Sequence, residues 1–122
     1  MNDSTTVLVV DDSRVSRLMA RQFILSKNAG MLIEEAANGE EALEKARSVT
    51  PALILMDVNM PGMGGLAAAE LLRKQFPHAH ISLLTANVQD ATRKRAQDMG
   101  VAFMEKPITE ARIHQLMSVL DL

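Results

Sequence analysis

The 122-residue chain contains no cysteine, no tryptophan and no tyrosine, and its aromatic side chains are three phenylalanines. The absence of cysteine excludes disulfides, thiolate nucleophiles and cysteine-ligated metals. The scarcity of aromatic rings argues against readers of single-stranded nucleic acid, because these proteins stack bases on aromatic side chains. A formal net charge of −2 provides no basic field for nucleic acid or an anionic membrane. We therefore expect neither direct nucleic-acid binding nor membrane attachment.

Long apolar runs are also missing, since the longest are a few residues and fall far short of a membrane span. Residues 1–6 lack the basic-then-apolar order of a secretory signal. The apolar fraction of 48% and the charged fraction of 23% are typical of a globular domain. These features predict a cytoplasmic protein with a single domain over residues 1–122, without an output domain.

Short apolar runs alternate with amphipathic stretches of helical length, five times over. The runs are residues 6–10, 31–36, 52–56, 80–84 and 101–104. Three of them are almost continuously apolar, as expected of strands buried on both faces of a parallel sheet. The alternation predicts an α/β fold of five βα units with helices on both faces of the sheet. The flavodoxin-like strand order 2-1-3-4-5 is the common solution at this size.

Helix boundaries are indicated by asparagine and glycine. Asn38 and Asn87 each stand three residues before an acidic side chain, which is the spacing of a helix N-cap. Gly30 and Gly100 stand where a helix is expected to stop before the next strand.

Polar side chains follow four of the five predicted strands. Asp11 and Asp12 follow the first strand, Asp57 the third, Thr85 the fourth and Lys106 the fifth. Because ligands bind outside the carboxyl ends of parallel strands, we expect these side chains to meet at one edge of the sheet. Each residue taken singly is more often a turn, cap or strand-end residue, so the prediction depends on their combination.

Three clustered carboxylates raise one another's pKa unless a cation lies among them. Mg²⁺ suits such oxygen ligands and retains several waters, which leaves positions open for a phosphoryl group. Lys106 is expected to contact phosphoryl oxygens as a point charge, and Thr85 to donate a hydrogen bond. Since a carboxylate can act as the nucleophile, the set predicts magnesium-dependent formation of an aspartyl phosphate.

Four segments of the chain resemble the receiver domain of two-component response regulators. They are VLVVDDS (7–13), LILMDVNMPGMGG (53–65), LLTAN (83–87) and FMEKP (103–107), and the resemblance covers essentially the whole chain. It implies a signalling switch that accepts a phosphoryl group from a histidine kinase or a phosphotransfer protein. It also implies a downstream protein effector, as in stand-alone regulators of chemotaxis.

The resemblance assigns roles to the acidic residues. Asp57 matches the phospho-accepting aspartate. Asp12 and Asp57 match the side-chain ligands of Mg²⁺, while Asp11 acts through water and Asn59 through its backbone carbonyl. The Lys106–Pro107 peptide bond resembles the cis bond of the family.

The remaining roles concern the phosphoryl group and the switch. Thr85, Ala86 and Lys106, together with Asn59, match residues beside the phosphoryl group. Phe103 matches the aromatic residue that turns inward with the threonine, although an ordinary core position also explains it. This movement changes the face made by the fourth helix, fifth strand and fifth helix.

Other proteins with related folds or chemistry fit less well. Phosphatases resembling the haloacid dehalogenases need an acidic side chain two residues after the nucleophile, where this chain has Asn59. Flavodoxin-type FMN carriers have a hydroxyl- and glycine-rich first loop where this chain has Asp11 and Asp12. The chain also lacks the glycine motif that dinucleotide-binding proteins carry after the first strand. We expect a phosphoryl acceptor with self-catalysed phosphorylation and dephosphorylation rather than a classical enzyme. Two settings remain open: a stand-alone monomer or weak phosphorylation-dependent dimer, and a module excised from a larger hybrid kinase or regulator.

Overall fold

The computed structural model describes residues 5–60, 62–86 and 89–122. Strands and helices alternate along the chain, five of each in these residues. The elements are β1 (Thr6–Val10), α1 (Arg14–Lys27), β2 (Leu32–Ala36), α2 (Gly39–Val49), β3 (Leu53–Asp57), α3 (Gly65–Gln75), β4 (His80–Thr85), α4 (Asp90–Met99), β5 (Ala102–Glu105) and α5 (Glu110–Val119). Within the described ranges, no helix is long and apolar enough to cross a membrane.

The five strands form one parallel sheet in the order β2-β1-β3-β4-β5. This confirms the predicted flavodoxin-like α/β fold. Alternate strand residues point to opposite faces, so two apolar cores form. Helices α1 and α5 cover one face through residues such as Ile24 and Met117. Helices α2, α3 and α4 cover the other through residues such as Leu43 and Leu72.

The observed strands begin and end within one residue of the predicted runs. Strands β2, β3 and β5 each start one residue later than predicted. Asp57 and Thr85 are the last residues of their strands rather than the first residues after them. The reason is pairing, since Asp57 lies opposite Leu84 and Thr85 opposite Glu105 in the parallel ladders.

Two of the four predicted helix boundaries are confirmed. Asn38 caps α2 with its side chain, and Gly100 ends α4 in the left-handed conformation with φ +70°. Gly30 does not end α1 itself, because the helix stops at Asn28, whose side chain accepts a hydrogen bond from the Gly30 amide. Asn87, the other predicted cap, lies outside the described residues.

Candidate functional site

Three carboxylates meet where the central strands end. Asp11 and Asp12 follow β1, Asp57 ends the adjacent β3, and one carboxylate oxygen of each lies within 4.8 Å of the others. Asp11 and Asp57 are only 2% and 4% exposed, whereas Asp12 faces solvent. The sheet therefore assembles the predicted acidic cluster at the edge where the sequence predicts it.

Lys106 reaches this cluster from the loop after β5. Its Nζ lies 3.0 Å from Asp11 Oδ2 and 3.4 Å from Asp57 Oδ1. The backbone amide of Lys106 donates a hydrogen bond of 2.7 Å to the carbonyl oxygen of Thr85, which anchors the loop to the end of β4. One ammonium group thus bridges two of the three carboxylates.

The cluster carries more negative than positive charge. Burial raises the pKa of Asp57, as does the neighbouring Asp11 carboxylate, and Lys106 and the Asn59 amide only partly offset this. Burial by itself would lower the pKa of Lys106, but the hydrogen bond to Asp11 and the two carboxylate charges raise it on balance. A hard divalent cation with oxygen ligands fits a site with three carboxylates and one ammonium group.

Short-range hydrogen bonds orient the two buried carboxylates. The Ser13 amide donates to Asp11 Oδ1 at 2.8 Å, and the Asn59 amide donates to Asp57 Oδ1 at 3.2 Å. Both contacts join a side chain to the backbone two residues on, which is the geometry of an Asx turn. The turns fix each carboxylate relative to the end of the strand beside it.

Two other predicted residues lie at the same edge of the sheet. Thr85 is buried at the end of β4, and Ala86 lines a cavity of about 270 Å³ together with Asp11 and Lys106. The Lys106–Pro107 peptide bond is cis, as predicted.

Phe103 lies on β5, an edge strand of the sheet. Its half-buried ring packs against the core covered by α2, α3 and α4. The guanidinium carbon of Arg93 on α4 lies 5.4 Å from the centre of this ring. Phe103 is therefore a packed residue that also borders the surface of α4.

Two further residues touch the site and were not predicted. Gly65, the first residue of α3, lies so close to β3 that a Cβ atom here would collide with the Asp57 carbonyl oxygen and lie 2.7 Å from the Val58 Cα. The glycine run after Asp57 was the available signal for this close approach. Arg17 donates a hydrogen bond to the Asp11 carbonyl oxygen, and no local pattern indicates it.

Comparison with known proteins identifies the class to which this fold and acidic site belong. The sequence model of the response regulator receiver domain matches residues 7–118, and the chain belongs to this family. It is thus a receiver domain of the kind found in two-component signalling.

The curated relatives that match the chain are longer response regulators. The chain is 35% identical over 95 residues to the response regulator protein VraR of Staphylococcus saprophyticus, covering 78% of this chain and 46% of that protein. The chain therefore matches less than half the length of this curated relative.

Solved structures match over nearly the full chain, among them the structure of a chemotaxis protein. The Vibrio cholerae protein CheY4 has 30% identity and a TM-score of 0.83, with 97% of each chain covered. The CheX–CheY–BeF3–Mg²⁺ complex of Borrelia burgdorferi has 28% identity and a TM-score of 0.86, with 95% of this chain and 89% of that chain covered.

Proposed function

We propose that the protein is a phospho-accepting signalling switch in which Asp57 receives the phosphoryl group. The observation that carries this proposal is the buried Asp57 carboxylate, 3.4 Å from Lys106 Nζ and within the acidic cluster. A carboxylate beside an ammonium group and a cation site can attack phosphorus while the transferred charge is neutralised.

The residues of the cluster would hold Mg²⁺. Asp12 and Asp57 would ligate it through their side chains, Asp11 through water and Asn59 through its backbone carbonyl. The bound ion would supply charge neutralisation for the incoming phosphoryl oxygens. The excess of carboxylate over ammonium charge supports this assignment, as does the similar complex from Borrelia burgdorferi, which contains Mg²⁺.

The phosphoryl donor would be a phosphohistidine of a histidine kinase or a phosphotransfer protein. A carboxylate oxygen of Asp57 attacks phosphorus, the new O–P bond forms, and the N–P bond breaks with its electron pair returning to the imidazole. Lys106 and the Thr85 hydroxyl contact the transferred oxygens, assisted by the Ala86 amide, with Asn59 bordering the group. Attack of water on the same phosphorus returns the Asp57 carboxylate and inorganic phosphate.

The output would depend on Thr85 and Phe103. Phosphorylation would draw the Thr85 hydroxyl toward the phosphoryl group and favour an inward position of the Phe103 ring. This would shift the conformational equilibrium of the face made by α4, β5 and α5, which would bind a downstream protein effector. The position of Phe103 between the core and Arg93 on α4 supports this coupling.

The relatives support two cellular settings for the protein. The near-complete match to CheY4 favours a chemotaxis-type regulator acting in the cytoplasm, as a monomer or a weak phosphorylation-dependent dimer. The partial match to VraR supports the alternative of a receiver within a longer regulator.

Intact mass spectrometry after incubation with acetyl phosphate tests the proposal. We expect the wild-type protein to gain one phosphoryl group in the presence of Mg²⁺ and none in the presence of EDTA. Asp57→Asn is nearly isosteric and should gain none under either condition, whereas Asp98→Asn, at an exposed position on α4, should behave as wild type. Persistent stoichiometric labelling of Asp57→Asn would assign the acceptor to another residue.

A further inference from the structure

Arg17, on α1, connects the acidic cluster to the edge strand β2. Its Nη1 donates a hydrogen bond of 2.6 Å to the backbone carbonyl oxygen of Asp11, and its Nε donates one of 2.9 Å to Glu35 Oε1. The Arg17 side chain is only 16% exposed, so both contacts are shielded from bulk water. The guanidinium therefore spans two elements and holds the residue that begins the β1–α1 loop.

Glu35 fixes the orientation of this guanidinium. It lies on β2 directly opposite Val9 of β1, and its second oxygen, Oε2, accepts a hydrogen bond of 3.2 Å from Arg21. The Glu35 carboxylate thus accepts hydrogen bonds from two arginines that are one helical turn apart on α1. Arg17 donates hydrogen bonds to both Glu35 and Asp11, whereas among the described residues the side chain of Arg21 donates one to Glu35 alone.

The Asp11 backbone is the part of the acidic cluster that these contacts control. The side chain of Asp11 is already committed at both oxygens, to the Ser13 amide and to Lys106. A shift of the Asp11 backbone would therefore move its carboxylate, and it would also move Asp12, the next residue. Mg²⁺ requires nearly ideal octahedral geometry at short distances, so small displacements of its ligands weaken binding.

We propose that Arg17, oriented by Glu35, is a positioning residue for the Mg²⁺ site. This inference rests on the proposed function, because it assumes that the acidic cluster binds Mg²⁺. Arg17 would act through the backbone of Asp11 and not through contact with the ion. Partners of this indirect kind affect metal affinity by about 10-fold or more when they are removed.

The charge of Arg17 and its positioning contact predict opposite effects on Mg²⁺ affinity when Arg17 is replaced. Loss of a nearby positive charge would by itself strengthen Mg²⁺ binding, because an anionic site attracts the cation more strongly. Loss of a positioning contact would weaken it. Arg21 supplies the matched control, since Arg21→Gln removes the same charge from the same carboxylate and leaves the Asp11 contact intact.

Mg²⁺ titration of the unphosphorylated protein, followed by backbone amide NMR shifts, measures the effect without a phosphoryl donor. We expect Arg17→Gln to weaken Mg²⁺ binding by about 10-fold, and Arg21→Gln to leave it unchanged or slightly stronger. Circular dichroism confirms that each variant is folded at the titration temperature. If Arg17→Gln is not folded, Arg17→Lys keeps the charge and should also bind more weakly, because one ammonium group cannot reproduce the two-pronged contact.

The outcomes separate this inference from the proposed function. Wild-type affinity in the folded Arg17 variant would overturn the positioning role while leaving the Mg²⁺ site intact. Equal weakening in the Arg17 and Arg21 variants would overturn it as well, because it would assign the effect to Glu35 and the general packing of α1. Absence of Mg²⁺ binding in the wild type would overturn both.

Discussion

The guanidinium carbon of Arg93 lies 5.4 Å from the centre of the Phe103 ring and joins α4 to the edge strand β5. Among the described residues, the Arg93 guanidinium has no carboxylate or carbonyl partner, so the aromatic face is its contact. A cation over an aromatic face contributes about 0.5 to 1 kcal/mol at exposed sites. The contact lies on the surface that the proposed switch would change.

A double-mutant cycle measures this contact. We expect Arg93→Gln and Phe103→Leu to show a coupling free energy of about 0.5 kcal/mol in the free energy of unfolding. Urea unfolding followed by circular dichroism suits a chain without tryptophan or tyrosine. The control cycle uses Lys94→Gln, the next exposed residue of α4, and should show no coupling to Phe103. Equal coupling free energies in the two cycles would show that the Arg93 effect comes from the general charge of the α4 surface and not from contact with the Phe103 ring.

The close approach of Gly65 to Asp57 predicts a large effect from a single methyl group. In Gly65→Ala the new Cβ would collide with the Asp57 carbonyl oxygen, so the start of α3 or the end of β3 must move. We expect a loss of about 2 kcal/mol in the free energy of unfolding, although alanine is the better helix former. Mg²⁺ binding should weaken as well, since Asp57 is displaced.

Gly30→Ala is the control for this substitution. A Cβ at Gly30 would contact only Asn28 Oδ1, at an ordinary 3.4 Å. We expect its free energy of unfolding to stay within about 1 kcal/mol of the wild type. Comparable losses of unfolding free energy in the two variants would show that the close contact with Asp57 is not the reason why position 65 requires glycine.

The acidic site was predictable because its geometry follows from chain order. Each predicted polar residue ends or follows an apolar run, and the carboxyl ends of parallel strands share one edge of the sheet. Asp11, Asp57 and Lys106 are therefore brought together by topology alone, without knowledge of any side-chain contact. The resemblance to receiver domains added the individual roles, which remain predictions.

The contacts that support the site were not predictable in the same way. Arg17 and Glu35 are 18 residues apart and lie on different elements, so no periodic pattern links them. The contact between Arg93 and Phe103 likewise depends on how α4 packs beside β5. The strands β3, β4 and β5 end one residue later than predicted, because pairing with a neighbouring strand, and not local composition, decides where a strand ends.

The raised pKa of Asp57 predicts that its negative charge destabilises the fold in the absence of Mg²⁺. Burial and the Asp11 carboxylate raise this pKa above its ordinary value of 3.8, so the folded state keeps the proton to higher pH than the unfolded chain. The contribution of Asp57 to the free energy of unfolding therefore falls as pH rises from 3.8 through the raised value. In EDTA at pH 7, Asp57→Asn should be more stable than wild type, by on the order of 1 kcal/mol.

Thermal unfolding between pH 3 and pH 8 checks this sign. The advantage of Asp57→Asn should disappear at the acid end, where Asp57 is protonated in both the folded and unfolded wild-type chains. The control, Asp98→Asn, removes an exposed carboxylate of α4 and should change stability by less than about 0.5 kcal/mol. An Asp57→Asn protein that is less stable than wild type at pH 7 would contradict the argument.

The bridge from Lys106 to Asp11 and Asp57 predicts that stability and Mg²⁺ affinity change in opposite directions on its removal. In EDTA, Lys106→Met leaves two buried carboxylates without their cation, and we expect a loss of about 3 kcal/mol in the free energy of unfolding. Mg²⁺ should restore much of this loss, because binding to the folded state alone stabilises it.

The affinity of the same variant for Mg²⁺ should rise several-fold, since the ammonium group no longer neutralises the carboxylates that hold the ion. Lys74→Met, at an exposed position near the end of α3, should bind as the wild type does. Calorimetric titration with Mg²⁺ compares the three proteins directly. A folded Lys106→Met protein that binds Mg²⁺ more weakly would mean that Lys106 positions the carboxylates more than it competes for them.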